Sequence, residues 1–429
     1  MSPSRISKLL AVAALGALAG PLALSGPALA APGTPWVAVD NQSKEHGKFQ
    51  SGLDFDSAAS GWAVGDVTDH TSGKTTAYIK RWDGAKWTDF AAGDLAGKGV
   101  ALNQVASVSA TEAWATGMTM PQQQRQRQFA RSPRPGSGLS YRDRQGVHHA
   151  DATTDQAAAG APYVLTRWDG KQWASVAAPQ PAAGKDATVV DVERIGDQAW
   201  AVGVEQKVDP QTGAPSEQQA FLDRYVAGKV QRAELPKELT AKPSSLLSLT
   251  GAGPNDVWLS GVFPTPEKDT PFAAHWDGKA FTVTELPVPA EFPNGWNADQ
   301  IATMGGTVYV AGRSLYTDGT LTTGYRYDGK AWSAWTDRGL FEINDLSVRT
   351  DNGAMIAGGW PSGTSNISQY ASFDGKAWTS HEQPKELAGK DGQVLGVAYL
   401  PGTDRAMGVG YTNDDSEWGG NYYITANKS

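Results

Sequence analysis

Residues 81–87 read RWDGAKW, and close copies of this heptad return along the chain. The copies are RWDGKQW at 167, HWDGKAF at 275, RYDGKAW at 326 and SFDGKAW at 372, with a degenerate RYVAGKV at 224. One Trp-Asp-Gly stretch would suggest a site. A heptad that recurs this often indicates a repeated structural unit instead.

A second element, GWAVG at 61, recurs with the heptad and sets the period of the repeat. Its copies are AWATG at 113, AWAVG at 199, VWLSG at 257, VYVAG at 308, AMIAG at 354 and AMGVG at 406. Successive copies lie 52, 86, 58, 51, 46 and 52 residues apart. The chain therefore predicts seven units of about fifty residues, the second of which carries a long insertion.

Each unit is predicted to form four short antiparallel strands, because aromatic and β-branched stretches alternate with turn signals. The Asp-Gly pair of the heptad predicts a two-residue hairpin turn between the third and fourth strands, where positive φ is needed. We interpret the heptad aspartates as turn residues and keep a catalytic or metal-binding role as the less favoured alternative; they are Asp83, Asp169, Asp277, Asp328 and Asp374. Seven such units predict an all-β fold, a seven-bladed β-propeller, as a single domain over residues 31–429.

The last unit indicates how the ring of blades is closed. It supplies QVLGVAY, AMGVG and NYYITA but lacks a fourth strand. The stretch TPWVAVD around Trp36 resembles the fourth strands KWTDF and AWTSH of other units. We therefore expect the N-terminal strand to complete the last blade, which would leave no open edge in the ring.

The repeat resembles the kelch class of propeller, in which a strand ends in Gly, a loop and an aromatic-Asp turn follow, and then a Trp. Gly358-Gly359 reproduces the kelch double glycine once, whereas the other copies have one Gly. Over residues 34–427 the pattern is similar to that of secreted actinobacterial and myxobacterial propellers called galactose-oxidase-like. The resemblance implies a fold and no particular activity.

Two activities associated with such folds do not fit these residues. The radical cofactor of galactose oxidase needs a Tyr cross-linked to Cys, and this chain contains no cysteine. The sialidase Asp-box has Ser or Thr two residues before its Asp and one residue between Asp and Gly. Here Arg81 holds the first of these positions and Asp83 directly precedes Gly84.

Residues 1–30 have the pattern of a secretory signal peptide. Arg5 and Lys8 precede an apolar run over Leu9–Leu24, and cleavage is expected after Ala30. The run is interrupted and too short for a comfortable membrane span. We therefore expect a secreted, extracellular protein without a membrane span.

The composition excludes several classes of function. Without Arg5 and Lys8 the chain keeps 35 basic side chains against 45 acidic ones, a net charge of about −10. Such a chain is a poor candidate for holding a polyphosphate through a diffuse electrostatic field. The absence of cysteine also excludes disulfides, thiolate catalysis and cysteine-ligated zinc.

No recognised catalytic or phosphate-binding motif is present, and we expect no cofactor and no metal. Carboxylates are too evenly spread for a general acid and base to be chosen from sequence. The stretch TNDDSEWGGN at 412–421 could supply oxygen ligands to calcium, although a solvated acidic turn is the favoured interpretation.

Ligand-binding residues are predicted on one face of the disc, where the loops between second and third strands and the connections between blades vary in length. Three tryptophans there lie outside the repeat pattern, namely Trp296, Trp360 and Trp418, and Tyr316 lies in a matching loop. They could form a carbohydrate-binding patch on which sugar rings stack, although the favoured interpretation is that each Trp folds back onto its own blade.

Residues 119–161 form the insertion of the second unit and are predicted to be disordered because they contain few apolar side chains. The segment has arginines at 125, 127, 131, 134, 142 and 144 against aspartates at 143, 151 and 155, a net charge of +3. It is either a flexible arm for an anionic polymer or a tolerated, solvated insertion.

The sequence favours a non-catalytic binding or interaction module, monomeric, whose partner is a carbohydrate or another component of the cell envelope. The first alternative is a hydrolase or lyase acting on polysaccharide, with carboxylates, His or Tyr converging over the central channel. The second is a structural protein of the envelope. Titratable groups with shifted pKa values at the channel mouth would favour the enzyme.

The insertion generates a first testable prediction. Trypsin should cleave between Arg125 and Arg144 long before it attacks the repeat units, because mobile loop tips are preferred sites of nicking. Replacing residues 121–159 with a short Gly-Ser linker should leave the fold intact. Mass spectrometry of a timed digest checks this, and an insertion that resists trypsin would contradict it.

Overall fold

The computed structural model describes residues 36–40, 48–69, 74–119, 141–142, 148–149, 163–208, 215–265, 268–288, 296–314, 321–338, 342–349, 355–360, 369–374, 377–381, 383–388, 390, 392–413 and 420–427. Most of these residues are in β-strands. The described helical segments are one α-helical turn, α1 (Lys237–Thr240), and two 3₁₀ turns, Gly93–Leu95 and Lys385–Leu387. None of the described helices is long or apolar enough to cross a membrane.

The strands follow one another in chain order as the repeat predicts. The first fifteen are β1 (Trp36–Asp40), β2 (Lys48–Ser57), β3 (Ser60–Asp69), β4 (Lys74–Trp82), β5 (Trp87–Phe90), β6 (Val100–Ser109), β7 (Glu112–Thr119), β8 (Tyr141–Arg142), β9 (His148–His149), β10 (Val164–Trp168), β11 (Trp173–Val176), β12 (Asp186–Ile195), β13 (Gln198–Val208), β14 (Pro215–Val226) and β15 (Lys229–Arg232). The others are β16 (Ser245–Gly253), β17 (Asp256–Phe263), β18 (Thr270–Trp276), β19 (Phe281–Glu285), β20 (Trp296–Met304), β21 (Thr307–Ser314), β22 (Leu321–Tyr327), β23 (Trp332–Arg338), β24 (Glu342–Val348), β25 (Met355–Trp360), β26 (Gln369–Phe373), β27 (Trp378–His381), β28 (Gly392–Tyr399), β29 (Ala406–Asn413) and β30 (Gly420–Asn427).

In the described part of the chain these strands form seven four-stranded antiparallel sheets and one two-stranded ladder. We number the four-stranded sheets along the chain: sheet 1 is β2–β5, sheet 2 is β6, β7, β10 and β11, sheet 3 is β12–β15, and sheets 4, 5 and 6 are β16–β19, β20–β23 and β24–β27. Sheet 7 is β28–β30 with β1 added beside β30. The first strands of the sheets contact one another in the order β2, β6, β12, β16, β20, β24, β28 and again β2.

The N-terminal strand is held by three different sheets. Its backbone pairs antiparallel with β30, from Trp36 opposite Asn427 onward. The buried indole of Trp36 stacks on Tyr370 of sheet 6, with ring centroids 3.9 Å apart. The carboxylate of Asp40 lies 2.8 Å from the Nζ atom of the buried Lys80 in sheet 1. Residues far apart in sequence therefore meet at this strand.

The heptad forms the hairpin between the third and fourth strands, but the predicted two-residue turn is wrong. Trp82 pairs with Trp87, so four residues make the connection. The backbone N–H groups of Ala85 and Lys86 both donate to Asp83 Oδ1, and Gly84 has φ +95°. The same pair of bonds to an aspartate recurs at Asp169, Asp277 and Asp328. The two-residue turn occurs instead in the degenerate copy, at Ala227-Gly228.

The first residue of the heptad packs on the Trp of the preceding GWAVG-type strand. Arg81 lies opposite Trp62 in the sheet, and its guanidinium sits 4.2 Å from the indole centroid. Arg224 does the same over Trp200 at 4.7 Å, and His275 stacks on Trp258 at 4.0 Å. The two arginine contacts are cation–π contacts, which stabilise by roughly 0.5–2 kcal/mol each, depending on exposure. The heptad and the GWAVG element thus recur together because they are partners across adjacent strands.

The last glycine of the GWAVG-type element lies within the second strand and is required by a bulge in the neighbouring first strand. In sheet 3 the register shifts between Val189 and Asp191, which pushes the carbonyl of Thr188 toward Gly203. A Cβ at Gly203 would lie 2.0 Å from that oxygen. β-Bulges bend a strand and raise its twist, and this one leaves no room for a side chain opposite it.

The insertion of the second unit contains the two-stranded ladder, in which Tyr141 pairs with His149. Residues 120–140, 143–147 and 150–162 lie outside the described residues. The predicted disorder of those segments stays a prediction.

Gly203→Ala should destabilise the protein by more than the ~1–3 kcal/mol typical of overpacking, because its Cβ would meet backbone that cannot move aside. Gly253→Ala is the matched control, since nothing lies within 4 Å of its added Cβ. Urea unfolding of both variants measures the difference. Equal stability of the two would contradict the close approach at the bulge.

Candidate functional site

Of the four residues predicted to form a carbohydrate patch, the structure describes the side chain of Trp296 only. Trp296 is fully buried, as the alternative that it folds back onto its own blade expects, so it is not available for stacking on a sugar ring. It begins β20, and strand alternation directs its indole between sheets 4 and 5, where it packs edge-on against Tyr325 with centroids 5.6 Å apart. Trp360 ends β25, and its side chain lies outside what the structure describes; Tyr316 and Trp418 lie outside the described residues altogether.

A different constellation is formed by carboxylates on the first strands. Asp54 lies on β2, Asp191 and Glu193 on β12, and Asp345 on β24. All four are partly buried. Glu193 interacts electrostatically with the other three, although they come from sheets that do not follow one another. These four side chains, called the central carboxylates below, therefore interact with one another across three sheets.

Three of the central carboxylates fasten one sheet to the next. Asp54 Oδ2 accepts the N–H of Ser107 in sheet 2, at 2.6 Å. Asp191 Oδ2 accepts the N–H of Leu249 in sheet 4, at 3.0 Å, and Asp345 Oδ2 accepts that of Val397 in sheet 7, at 2.8 Å. Each accepting group thus covers a backbone N–H on the edge of a first strand that has no strand neighbour.

Side-chain amides make the complementary bonds to backbone carbonyls. Gln104 Nε2 donates to Val190 O of sheet 3 at 3.0 Å, and Gln300 Nε2 donates to Asn344 O of sheet 6 at 2.8 Å. The hydroxyl of Ser248 accepts the N–H of Ile301. The free edges of the first strands are therefore covered by polar side chains of the preceding sheet, as buried backbone groups require.

Burial dominates the electrostatics of the central carboxylates. It raises the pKa of Asp54 and Asp191 to about 6 and that of Asp345 to about 8, although backbone N–H donors act in the opposite direction. Burial also raises the pKa of Glu193 well above its ordinary value, and the neighbouring carboxylates raise it further. Crowded carboxyl groups of this kind retain protons at a pH where exposed ones are ionised.

Glu193 differs from the other three central carboxylates in its hydrogen bonding. No hydrogen bond to its carboxylate is found among the described residues, whereas the other three accept backbone donors. A protonated carboxyl beside ionisable ones is the arrangement from which a general acid is made. In the described part of the chain, no group of three or more His, Asp or Glu side chains is placed to hold a metal ion.

A second buried polar group lies between sheets 2 and 3, directly after the insertion. The hydroxyl of Tyr163 donates to Asp223 at 2.7 Å and lies 2.7 Å from the hydroxyl of Tyr225. Arg232 donates to Asp223 at 2.5 Å and to Glu205 at 2.7 Å. Burial raises the pKa of both tyrosines above their ordinary range. Asp223 is fully buried with its oxygens occupied, so this network anchors the chain after the insertion.

Sequence reasoning missed the central carboxylates because nothing local distinguishes them from other acidic residues. The sequence signal that could have identified some of them is their position in the repeat. The residue after the bulge of the first strand is polar in five sheets, as Gln104, Asp191, Ser248, Gln300 and Asp345. That regularity appears only once the bulge is located.

No protein-family model matches the sequence, and no curated protein matches it. Among solved structures the chain is similar to the Trypanosoma rangeli sialidase, with a TM-score of 0.41 and 10% identity over 91% of this chain and 57% of that one. It is also similar to the phage phi92 endosialidase, with a TM-score of 0.44 and 9% identity over 92% of this chain and 68% of that one.

A third similar structure is the fucose-recognising Aleuria aurantia lectin, a six-bladed β-propeller. Its TM-score is 0.40 and its identity 10%, over 79% of this chain and 96% of the lectin. The chain spans little more than half the length of the sialidase that it matches. At these TM-scores the similarities assign neither an activity nor a ligand to this chain.

Trp296→Ala should lower the free energy of unfolding by ~3–5 kcal/mol, because it empties a fully buried indole site between two sheets. Trp418→Ala is the comparison, since the sequence predicts a loop position for that residue. Thermal unfolding of the two variants and the wild type measures the difference in stability. A Trp296→Ala protein that melts like the wild type would mean that this indole is not part of the core.

Proposed function

We propose that the seven sheets close into a seven-bladed, kelch-like β-propeller completed by the N-terminal strand. The unbroken cycle of contacts among the first strands and the pairing of β1 with β30 support this closure. The stack of Trp36 on Tyr370 and the ion pair of Asp40 with Lys80 reinforce it. The signal-peptide pattern supports export, and we place the mature protein outside the cell.

We infer that this propeller is a non-catalytic binding module for glycans or other cell-envelope components. The inference rests on the hydrogen bonds of the central carboxylates. Asp54, Asp191 and Asp345 each accept a backbone N–H of a neighbouring sheet, which is a structural role and not a catalytic one. Recognition is then left to the variable loops on one face of a rigid scaffold, where binding residues are commonly found.

The alternative is a hydrolase or lyase acting on polysaccharide, and one observation favours it. Glu193 combines a raised pKa with a carboxylate that fastens no backbone group, and both are features of a general acid. Glycoside hydrolysis needs a second carboxylate at a set distance from the first. In the described residues the nearby candidates Asp191, Asp54 and Asp345 are each committed to a backbone N–H.

The binding function is tested with purified full-length protein on a panel of neutral and anionic polysaccharides, measuring retention and released reducing ends together. We expect retention of at least one polysaccharide without products. Glu193→Gln should leave that retention unchanged, with Asp94→Asn as the exposed control. Product release by the wild type that Glu193→Gln abolishes while the variant stays folded would establish the enzyme instead.

The same experiment also tests the insertion. If the insertion binds anionic polymers, replacing residues 121–159 with a Gly-Ser linker should reduce the retention of anionic polysaccharides only, and added salt should have the same effect on the wild type. Unchanged retention at every ionic strength would identify the insertion as a passive one.

A further inference from the structure

The central carboxylates come from sheets 1, 3 and 6, and three of them bridge to sheets 2, 4 and 7. Three of them therefore join neighbouring sheets, and all four lie on first strands that contact one another in a cycle and interact electrostatically with one another. Ionising all four would place like charges on these interacting groups at the junctions between sheets. Like charges at close range in a partly buried site repel strongly.

We propose that the central carboxylates share protons in the folded protein and lose them when the sheets separate, so that mild acid tightens the assembly of sheets and alkali loosens it. This inference depends on the junctions between sheets and on no ligand. It therefore stands or falls separately from the binding function.

The pKa directions agree with this geometry. Asp54 and Asp191, with pKa about 6, and Asp345, with pKa about 8, bind protons in the folded chain over a range where ordinary carboxyl groups, with pKa about 4, have lost them. The folded state then holds more protons than the unfolded state between about pH 4 and about pH 8. Stability is fully present below that window and is lost as pH rises through it.

The charged groups facing the central carboxylates are few. Arg194 favours ionisation of Asp54 and Glu193, whereas Asp56 opposes that of Asp54. The strands that receive the three bonds, β6, β16 and β28, contain no acidic, basic or histidine side chain. Asp299 on β20, which packs against β24, is buried. Arg194 is therefore the cation that offsets part of the repulsion among the central carboxylates.

Other titrating groups act outside this effect or against it, among them Asp83 and His381. The turn aspartate Asp83 has a lowered pKa because backbone N–H groups of its turn donate to it, so its contribution changes only below about pH 4. Burial lowers the pKa of His381, so its contribution to stability is lost as pH falls through the histidine range. Comparing the wild type with variants of the central carboxylates removes both contributions.

The experiment measures the free energy of unfolding of the full-length protein in urea across the window from about pH 4 to about pH 8. Wild type is compared with Asp345→Asn, whose amide oxygen can still accept the N–H of Val397, and with Glu193→Gln. Each variant should have the free energy of unfolding of the wild type at the acid end of the window and a higher one at the alkaline end, so that its stability falls less steeply with rising pH. Asp83→Asn is the matched control and should keep the wild-type slope throughout the window.

A second measurement needs no variant. Infrared spectra of the folded wild type near neutral pH should contain the carbonyl stretch of protonated carboxyl groups, and this band should vanish on unfolding in urea at the same pH. The proposal is overturned if the folded protein lacks the band, or if Asp345→Asn and Glu193→Gln fold and yet keep the wild-type dependence of stability on pH.

Discussion

The first strand of every sheet has a neighbour on one edge only, and the other edge presents backbone groups that need partners. An uncovered edge of this kind is costly when buried and invites pairing with other chains when exposed. In sheets 2 to 7 side chains of the preceding sheet cover it. Asp54, Asp191 and Asp345 accept its N–H groups, while Gln104 and Gln300 donate to its carbonyls. The junctions between sheets are thus hydrogen-bonded as well as packed.

This requirement explains features that look unrelated in the sequence. The bulge in the first strand turns polar side chains toward the next sheet, and it also requires a glycine opposite it within the second strand, as at Gly203. The third strand then supplies Arg81 or its equivalent to cover the Trp of the second. The heptad on the third and fourth strands and the GWAVG element on the second strand therefore pack together within a sheet. The polar residue after the bulge of the first strand belongs to the same arrangement, but its identity varies too much for a repeat to be noticed in the sequence.

How far the sequence predicts the structure depends on the range of the interactions involved. The all-β class and the four-stranded units follow from local patterning and are confirmed. The turn at Asp83 is predicted in place but wrong in length, because the aspartate carboxylate closes a longer loop than an Asp-Gly pair does by itself. Trp296 is misjudged because the start of β20 lies earlier than its sequence suggests, which puts the indole between sheets. The central carboxylates depend on contacts between sheets about fifty residues or more apart, and periodicity carries no information about those.

The pairing of Trp36 with Asn427 has a consequence for how the chain acquires its fold. Sheets 1 to 6 are each built from one stretch of chain, interrupted in sheet 2 by the insertion, so their contacts are local and can form as soon as each stretch of chain is available. Sheet 7 unites the first strand with the last, and the loop closed by that contact is nearly the whole molecule. Contacts of such sequence separation form late and slowly, since the entropy of closing the loop is lost before the contact is gained. Until then Tyr370 and Lys80 lack their partners on β1, and the half-finished sheet 7 exposes the edge of β30 to any other strand in reach. The last few residues to pair therefore set the period during which this protein is most open to misassembly.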